Sequence, residues 1–329
     1  MNGTCIATEM LINGIQAVHL ENEWLRTVVL VGKGTDIWEL VYKPLNLDLL
    51  MRTHDGLTVY EGRDFREKRL VHYAEGYPGG WQEIIPNRAL FGSGEVGPSE
   101  EGESAGVPWA YRIDWENGQS VSLHCRLMLP YTPLNIEKTI SLSAGMSEIR
   151  ITERIANTDG DVVRFIWTHH PAFGGPLIDE KAKVILPKDS IAFNVLRYER
   201  NRNEPLSNFE EEITSVELVS GKRKNLLEIE PRMTDGETCY VPIRIRSREE
   251  VGIDNPGLNV KLRLDWDRDL FPCLRYWSNN DNEAYTVALE PSTSWFSDIR
   301  DCIRHDNCIS LQPNEEKRFW MKIAVEPLR

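Results

Sequence analysis

The segment VSLHCRLML, residues 121–129, alternates apolar and polar side chains with a period of two. This alternation is typical of a β-strand that buries one face and exposes the other. The segment VKLRLDW, residues 260–266, shows the same pattern. No stretch of 12 or more residues combines a 3.6-residue apolar period with the end caps of a helix. We therefore predict a nearly all-β chain.

Further strands are predicted where short runs are rich in β-branched and aromatic residues. They cover Leu25–Val31, Ile37–Tyr42, Lys183–Leu186, Tyr240–Arg246, Thr286–Leu289 and Phe319–Val325. Two more β-rich runs flank residues 158–161, Thr-Asp-Gly-Asp, where Asp-Gly is typical of a tight hairpin turn. Many strands without intervening helices predict antiparallel sheets that stack face to face.

Two polar stretches, residues 92–108 and 197–212, are predicted to be long loops. The sequence contains no repeat of fixed period and no linker that divides it into independent halves. We therefore predict one large β-sandwich domain that spans residues 1–329. Its wide faces are compatible with a homodimer, although nothing in the sequence requires one.

The chain of 329 residues carries 38 Lys and Arg against 51 Asp and Glu, so its formal net charge is −13. No basic stripe is present to neutralise phosphates, and we predict no nucleic-acid partner. No run approaches the roughly 18 apolar residues of a membrane span, and the first residues lack the features of a signal peptide. The sequence therefore predicts a cytoplasmic protein with no membrane partner.

The six cysteines form no CxxC pair, which favours reduced thiols. Cys302, His305 and Cys308 lie close together in sequence, but their spacing matches no common zinc pattern. The chain also lacks a phosphate-binding loop and a dinucleotide-binding fingerprint. We predict neither a metal nor an organic cofactor.

The first chemically unusual cluster is GYPGGWQEIIPNR, residues 76–88. Its glycine pair permits close backbone approach, and Trp81 has a flat apolar face of the kind on which sugar rings stack. The alternative is a tight turn into a buried strand, with the tryptophan in the core. Composition favours this alternative slightly.

The second cluster, FIWTHHPAFGG, contains two adjacent histidines, His169 and His170. Neighbouring residues of a strand point to opposite faces, so at most one of the two shares a site. A histidine can act as an acid or base near neutral pH. Pro171 is expected to end the strand because it has no N–H to donate. The alternative is a pair of structural histidines.

In the third cluster, the apolar run TVALE ends on one carboxylate, Glu290, which Pro291 follows. A charged residue that closes an apolar run is costly unless it is paired or lies in a cleft, where its pKa is often shifted. The alternative is a strand that simply ends at the surface.

Five segments, in this order, resemble the galactose mutarotase-like superfamily, in particular bacterial aldose 1-epimerase-related proteins. They are GGWQEIIPN, WTHHPAFG, FPCLRYWS, ALEPSTSW and LQPNEEKRFWMKIAV. The resemblance extends over most of the chain and implies a large antiparallel β-supersandwich. It also implies a small-molecule carbohydrate as partner.

By this resemblance, His170 matches the family's catalytic histidine and Glu290 its catalytic glutamate. The implied reaction interconverts the α and β anomers of a free aldose. The glutamate removes the proton of the anomeric hydroxyl while the histidine protonates the ring oxygen. The open sugar then rotates about its C1–C2 bond and closes to the other anomer. The resemblance implies no metal or cofactor.

The resemblance also suggests substrate-binding residues, which are Arg88, His169, Trp81, Asp265 and Trp277. One segment departs from the family pattern. Related sequences often have His-Gly-Glu before Pro-Trp, whereas this chain has Glu101-Gly102-Glu103. The departure leaves sugar specificity open, together with mutarotase activity itself.

Three alternatives therefore stay open. A non-catalytic carbohydrate-binding or sensing protein could use the same fold. A lyase or hydrolase would need a further group, such as one of the tyrosines Tyr73, Tyr77 and Tyr276. A sugar-phosphate substrate would need basic residues, which the segment EGRDFREKRL offers in Arg63, Arg66, Lys68 and Arg69.

Overall fold

Strands dominate the computed structural model, which describes residues 4–57, 77–92, 95–96, 102–282 and 284–328. The strands are β1 (Ile6–Ile12), β2 (Ile15–Glu21), β3 (Leu25–Leu30), β4 (Asp36–Tyr42), β5 (Leu47–Asp48), β6 (Trp81–Phe91), β7 (Glu95–Val96), β8 (Ala110–Glu116), β9 (Ser120–Met128), β10 (Leu134–Ser143), β11 (Glu148–Asn157), β12 (Val163–Phe173), β13 (Lys183–Ile185), β14 (Ile191–Phe193), β15 (Glu210–Glu212), β16 (Val216–Glu217), β17 (Arg223–Lys224), β18 (Thr238–Arg244), β19 (Val251–Asn255), β20 (Val260–Trp266), β21 (Cys273–Asn279), β22 (Thr286–Ser292), β23 (Ile309–Leu311) and β24 (Glu316–Pro327). The helices are α1 (Val195–Arg200) and α2 (Ile299–Arg304). The predicted all-β class is confirmed.

The strands form a 14-stranded sheet, an 8-stranded sheet and one separate pair, β16 with β17. The larger sheet has the order β1-β2-β3-β4-β6-β12-β22-β21-β18-β14-β15, and three short strands outside this order, β5, β7 and β23, pair with β4, β6 and β12. The smaller sheet has the order β13-β19-β20-β24-β11-β10-β9-β8. Every strand pairing within the described residues is antiparallel, which confirms the predicted β-supersandwich.

Apolar residues from the facing sides of both sheets form one core. In β20 the alternate residues Val260, Leu262, Leu264 and Trp266 are buried, as the period-two pattern predicts. They pack in the same cluster as side chains of the larger sheet such as Phe165. Burial of these inner faces supplies the main stabilisation of the sandwich. The extent of one domain over residues 1–329 stays a prediction, as does the homodimer.

The predicted hairpin at residues 158–161 is wrong. β11 lies in the smaller sheet and β12 in the larger sheet, so the turn between them carries the chain from one layer to the other. The Asn157 side chain holds this corner, because its Nδ2 donates to the carbonyl oxygens of Asp161 at 2.8 Å and Leu311 at 3.1 Å. An Asp-Gly pair predicts a turn, but it does not determine which strand the chain pairs with next.

The predicted loop over residues 197–212 is also partly wrong. It includes most of α1, a 3₁₀ turn at Leu206–Phe209 and the edge strand β15. Tyr198 and Phe209 anchor this segment, because both are buried in an apolar cluster with Phe296. Two isolated aromatic residues in a polar stretch are a weak sequence signal. Of the other predicted loop, residues 93–94 and 97–101 lie outside the described residues.

Neither proline at the expected strand ends terminates its strand. Pro171 lies inside β12 and Pro291 inside β22, and each has a paired residue in the neighbouring strand. A proline lacks only its own N–H, and the pairing resumes beyond it, for example where Ala172 lies opposite Ala288. His170 and Glu290 consequently lie within strands, where the sheet itself positions their side chains.

Candidate functional site

Four polar side chains form a row across β6, β12, β22 and β21. Gln82 lies opposite His170, and Glu290 lies opposite Arg275. His170 Nε2 is 3.3 Å from Glu290 Oε1, which joins the two halves of the row. Residues directly opposed in an antiparallel pair project from the same face. Because Leu289, next to Glu290, packs in the core, the polar row projects from the outer face of the larger sheet.

The next row of residues on this face, two positions along each strand, consists of small and aromatic residues. Ala172 lies opposite Ala288, which lies opposite Trp277, and Trp277 lies opposite Tyr240. Tyr77 stands beside this row, with its ring centroid 6.0 Å from that of Trp277. Both alanines are fully buried in a small apolar cluster with Met51, against which the partly buried rings of Tyr77 and Trp277 pack. Tyr77 and Trp277 are therefore the apolar surfaces beside the polar row that a ring-shaped ligand can contact.

His170 has a defined neighbour at each ring nitrogen. Its Nδ1 lies 3.3 Å from the Tyr77 hydroxyl, while its Nε2 faces Glu290. Burial, together with the positive charge of Arg275, lowers the pKa of His170 to about 4. The imidazole is thus neutral near pH 7 and can accept a proton.

Glu290 has the opposite shift. Its side chain is buried, and burial raises the pKa of Glu290 to about 8, although the positive charge of Arg275 acts against this rise. The carboxyl group therefore holds a proton near pH 7. Burial favours an uncharged pair in which one proton is available to both groups, as acid and base chemistry at one site requires.

The raised pKa of Glu290 predicts a pH-dependent stability. The folded protein holds this proton up to about pH 8, whereas the unfolded chain releases it near 4.5. The stabilisation is therefore complete below the unfolded value and is lost as the pH rises through the folded one. We compare the free energy of unfolding of the wild type with that of the Glu290→Gln variant. The difference, wild type minus variant, is expected to decrease as the pH rises from about 5 to about 8. Urea denaturation at a series of pH values measures it, and a constant difference would contradict the assignment.

The other predicted site residues lie in three places. Trp277 borders the site, 5.6 Å from His170 between ring centroids. Arg88 lies opposite Ile166, about 20 Å along β6 from Gln82 at 3.3 Å per residue. Asp265 lies in the smaller sheet, opposite Lys322. The structure therefore does not bring Arg88 or Asp265 to the His170–Glu290 pair.

Trp81 and His169 lie on the inner face, with 2% and 1% of their surfaces exposed. The structure agrees with the alternative that Trp81 is a core residue after a tight glycine turn. His169 bonds to Glu153 of the smaller sheet, with 2.9 Å between Nε2 and Oε2. Burial lowers the pKa of His169 to about 3. Neither side chain faces the outer site.

A buried ionic cluster lies behind the site, between the two sheets. The Lys138 ammonium contacts the carboxylate of Glu83 and lies 3.3 Å from Glu153 Oε1. Trp167 Nε1 donates to Glu83 Oε1 at 2.7 Å. The ligand atoms of Glu83, Glu153 and His169 lie within 4.8 Å of one another, as in a metal site. Lys138 already supplies the cation that these carboxylates need, so we assign the cluster a structural role.

The sequence contains signals for this ionic cluster that the motifs above do not include. In β10, Lys138 falls on the same alternate positions as the buried Ile136 and Ile140. In β11, Glu153 falls on the same alternate positions as the buried Ile151. A charged residue on the apolar face of a strand requires a buried partner. Arg275 has no such signal, since it lies on the alternate positions of β21 opposite to those of the core residues Leu274 and Tyr276.

The segment that departs from the family pattern is only partly described. Glu101 lies outside the described residues. Glu103 is buried, and its carboxylate accepts the backbone N–H groups of Tyr131 at 2.8 Å and Thr132 at 3.1 Å. Glu103 therefore ties two loops together.

Other sequence candidates also fall outside the site or outside the described residues. Arg63, Arg66, Lys68, Arg69 and Tyr73 lie outside the described residues. Tyr276 is buried in the core, on the face opposite to the site. His305 Nε2 lies 3.0 Å from the Tyr198 hydroxyl, and all six cysteines are free thiols.

Several solved structures have folds similar to that of this chain. A candidate aldose 1-epimerase from Klebsiella pneumoniae has a TM-score of 0.72 at 12% identity, and the match covers 98% of this chain and 84% of that chain. A galactose mutarotase-like protein from Clostridium acetobutylicum has a TM-score of 0.68 at 13% identity, with 98% and 99% covered. Another from Lactobacillus casei has a TM-score of 0.60 at 15% identity, with 94% and 100% covered.

The protein therefore has the galactose mutarotase-like fold, as its sequence motifs predict. A family model described as a domain of unknown function, DUF4432, matches residues 126–325. This match covers more than half of the chain, which belongs to the DUF4432 family. No curated protein matches the sequence. Among the described residues, no helix has the length and apolar character needed to cross a membrane.

Proposed function

We propose that this protein is an aldose 1-epimerase-like isomerase that interconverts the anomers of a free sugar. The observation that carries the proposal is the 3.3 Å approach of His170 Nε2 to Glu290 Oε1 on the outer face. The partly buried rings of Tyr77 and Trp277 beside the pair support it, because aromatic rings suit the apolar face of a sugar ring. A small-molecule carbohydrate partner and a cytoplasmic location are part of this proposal.

The reaction needs one base and one acid. The base takes the proton of the anomeric hydroxyl, the acid protonates the ring oxygen, and the C1–O5 bond breaks to give the aldehyde. After rotation about C1–C2, the same two groups reverse both proton transfers and close the ring. The resemblance assigns the base to Glu290 and the acid to His170. Near pH 7 the proton lies on Glu290 and the imidazole is neutral, so this assignment requires that the proton first moves from Glu290 to His170.

The test is anomer exchange across a panel of free aldoses, measured by saturation-transfer NMR. We expect acceleration for at least one aldose, and a loss of about a hundredfold or more in His170→Ala. His124→Ala is the control, because His124 lies in the smaller sheet and bonds to Thr139. The proposal fails if the folded wild type accelerates no aldose, or if His170→Ala retains the wild-type rate.

One observation favours a second candidate, a lyase that acts on sugar acids. The Tyr77 hydroxyl lies 3.3 Å from His170 Nδ1, and burial and the charge of Glu290 raise the pKa of Tyr77. A protonated phenol next to a neutral imidazole could protonate a leaving oxygen while the imidazole removes a carbon-bound proton. Release of an unsaturated product, detected by its ultraviolet absorbance, would identify this activity. Sugar binding without either reaction would instead favour a sensing protein.

A further inference from the structure

The two rows that flank the polar row on the outer face differ in exposure. The row on one side contains Thr168, Ser292 and Cys273, which lie opposite one another and are fully buried. The row on the other side ends in two aromatic residues, Trp277 and Tyr240. Trp277 is partly buried, whereas Tyr240 is 42% exposed. In these described rows, solvent therefore reaches the surface beside the reacting pair at the aromatic end.

Tyr240 projects from the same face as the reacting pair. Its two neighbours in β18 pack in the core, and it lies directly opposite Trp277. Directly opposed residues project from the same face, with Cβ atoms about 5 Å apart. Burial raises the pKa of Tyr240, and the charges of Arg275 and Glu290 act on this pKa in opposite directions. The hydroxyl group of Tyr240 therefore lies near the polar row, while much of the side chain is exposed.

The position of Tyr240 distinguishes it from other exposed aromatic residues. A single exposed aromatic side chain is common on protein surfaces and by itself indicates no site. Tyr240, however, continues an aromatic surface that begins at the reacting pair, where the Trp277 ring lies 5.6 Å from His170 between centroids. Rings of this kind suit the apolar faces of sugars, and a tyrosine hydroxyl can bond to a sugar hydroxyl.

We propose that Tyr240 and Trp277 form a second sugar subsite, so that the substrate is a reducing disaccharide or a longer reducing oligosaccharide. The reducing ring occupies the His170–Glu290 pair, and the next ring stacks on Tyr240. This inference rests on the proposed function for the position of the reducing ring, and it names the substrate class of that site. Tyr240 thereby becomes the residue that selects two rings over one.

The proposed reaction orients the reducing ring. Its ring oxygen lies at His170 in β12 and its anomeric hydroxyl at Glu290 in β22, so carbon 5, with carbon 6 attached, lies on the β12 side. Carbons 3 and 4 lie across the ring from the anomeric carbon. The buried row of Thr168 and Ser292 closes one side of the pair. Carbons 3 and 4 therefore point toward the aromatic side.

The distance along the sheet suits one additional ring. In the strand order, β18 is two strand spacings from β22, which is about 10 Å. A second ring linked to carbon 3 or 4 extends in this direction. A ring linked to carbon 6 extends toward β12 instead, away from Tyr240. We therefore expect 1,3- and 1,4-linked disaccharides to bind more tightly than 1,6-linked ones.

The experiment compares matched disaccharides and monosaccharides on the full-length protein. Laminaribiose, cellobiose, maltose and 1,4-linked galactobiose are titrated against D-glucose and D-galactose by calorimetry or ligand-observed NMR. Gentiobiose and melibiose are the 1,6-linked sugars. We expect at least one 1,3- or 1,4-linked disaccharide to bind about tenfold or more tightly than the monosaccharide that forms its reducing ring.

Variants of Tyr240 make the test specific. Tyr240→Ala should remove the preference for the disaccharide, and Tyr240→Phe should retain most of it, because the ring remains. Tyr131→Ala is the matched control and should keep the preference. Tyr131 is 40% exposed, like Tyr240, but it lies between β9 and β10 of the smaller sheet.

The wild type alone can overturn the inference, even if the Tyr240 variants do not fold. Equal, weaker or absent binding of the 1,3- and 1,4-linked disaccharides would overturn it, as would a larger gain for the 1,6-linked sugars. An unchanged preference in folded Tyr240→Ala would overturn it too. A disaccharide preference that Tyr240→Ala removes, without anomer exchange of any sugar, would support the subsite and refute the proposed isomerase. Anomer exchange of monosaccharides without a disaccharide preference would do the reverse.

Discussion

Glu290→Gln is expected to slow anomer exchange by about a hundredfold or more, because an amide can neither accept nor donate the proton that the reaction moves. The substitution preserves the shape of the side chain, so the new amide can still occupy the place of the carboxyl group between His170 and Arg275. Substrate binding should therefore change less than turnover. Saturation-transfer NMR gives the exchange rate, and a ligand titration gives the affinity.

Two further variants make this prediction specific. Glu39→Gln is the matched control, because Glu39 lies in the same sheet but pairs with Arg26 at 2.6 Å, away from the site. It should retain the wild-type rate. The double variant of His170→Ala and Glu290→Gln should be little slower than the slower single variant, since the two groups act as a unit. A wild-type rate in Glu290→Gln would exclude the carboxyl group from the reaction.

Lys138→Met is expected to destabilise the fold by about 3–5 kcal/mol, the usual result of removing one partner from a buried ion pair. Glu83 and Glu153 would remain between the sheets with no cation, and burial already raises the pKa of both. The methionine fills a similar volume, so the loss is mainly electrostatic. Urea or thermal unfolding monitored by circular dichroism measures it.

The control for this prediction is Lys322→Met. Lys322 lies in the same sheet but on its outer face, where its Nζ is 3.6 Å from Glu148. A partly exposed pair of this kind contributes about 0–1 kcal/mol. Replacing Glu83 by glutamine together with Lys138→Met should restore part of the lost stability. If Lys138→Met unfolds at the same denaturant concentration as the wild type, the cluster does not hold the sheets together.

The sequence predicted the strands better than their partners. Alternation set the predicted bounds of β20 at Val260–Trp266, and the structure has the same bounds. Alternation reports which side of a strand is buried, and that property is local. The partner of a strand depends on where the chain goes after each turn, which is why the hairpin at residues 158–161 was predicted wrongly.

The same contrast holds for the candidate site. The motifs directed attention to His170 and Glu290, and the rule that neighbouring residues alternate between faces allowed only one histidine in the site. They could not separate Trp277, which borders the site, from Trp81, which lies in the core. Both are tryptophans beside polar residues, and only the register of each strand determines which face they occupy.

By itself, the sequence determined the all-β class, the resemblance to mutarotase-like proteins and the choice of His170 and Glu290 as candidate site residues. These follow from patterns within short segments. Only the tertiary structure decided that Gln82, His170, Glu290 and Arg275 form one row, because these residues come from four strands far apart in sequence. It also decided that Lys138 meets Glu83 between the sheets. Pairing and packing join distant segments, so the contacts that create the site and its shifted pKa values exist only in the folded chain.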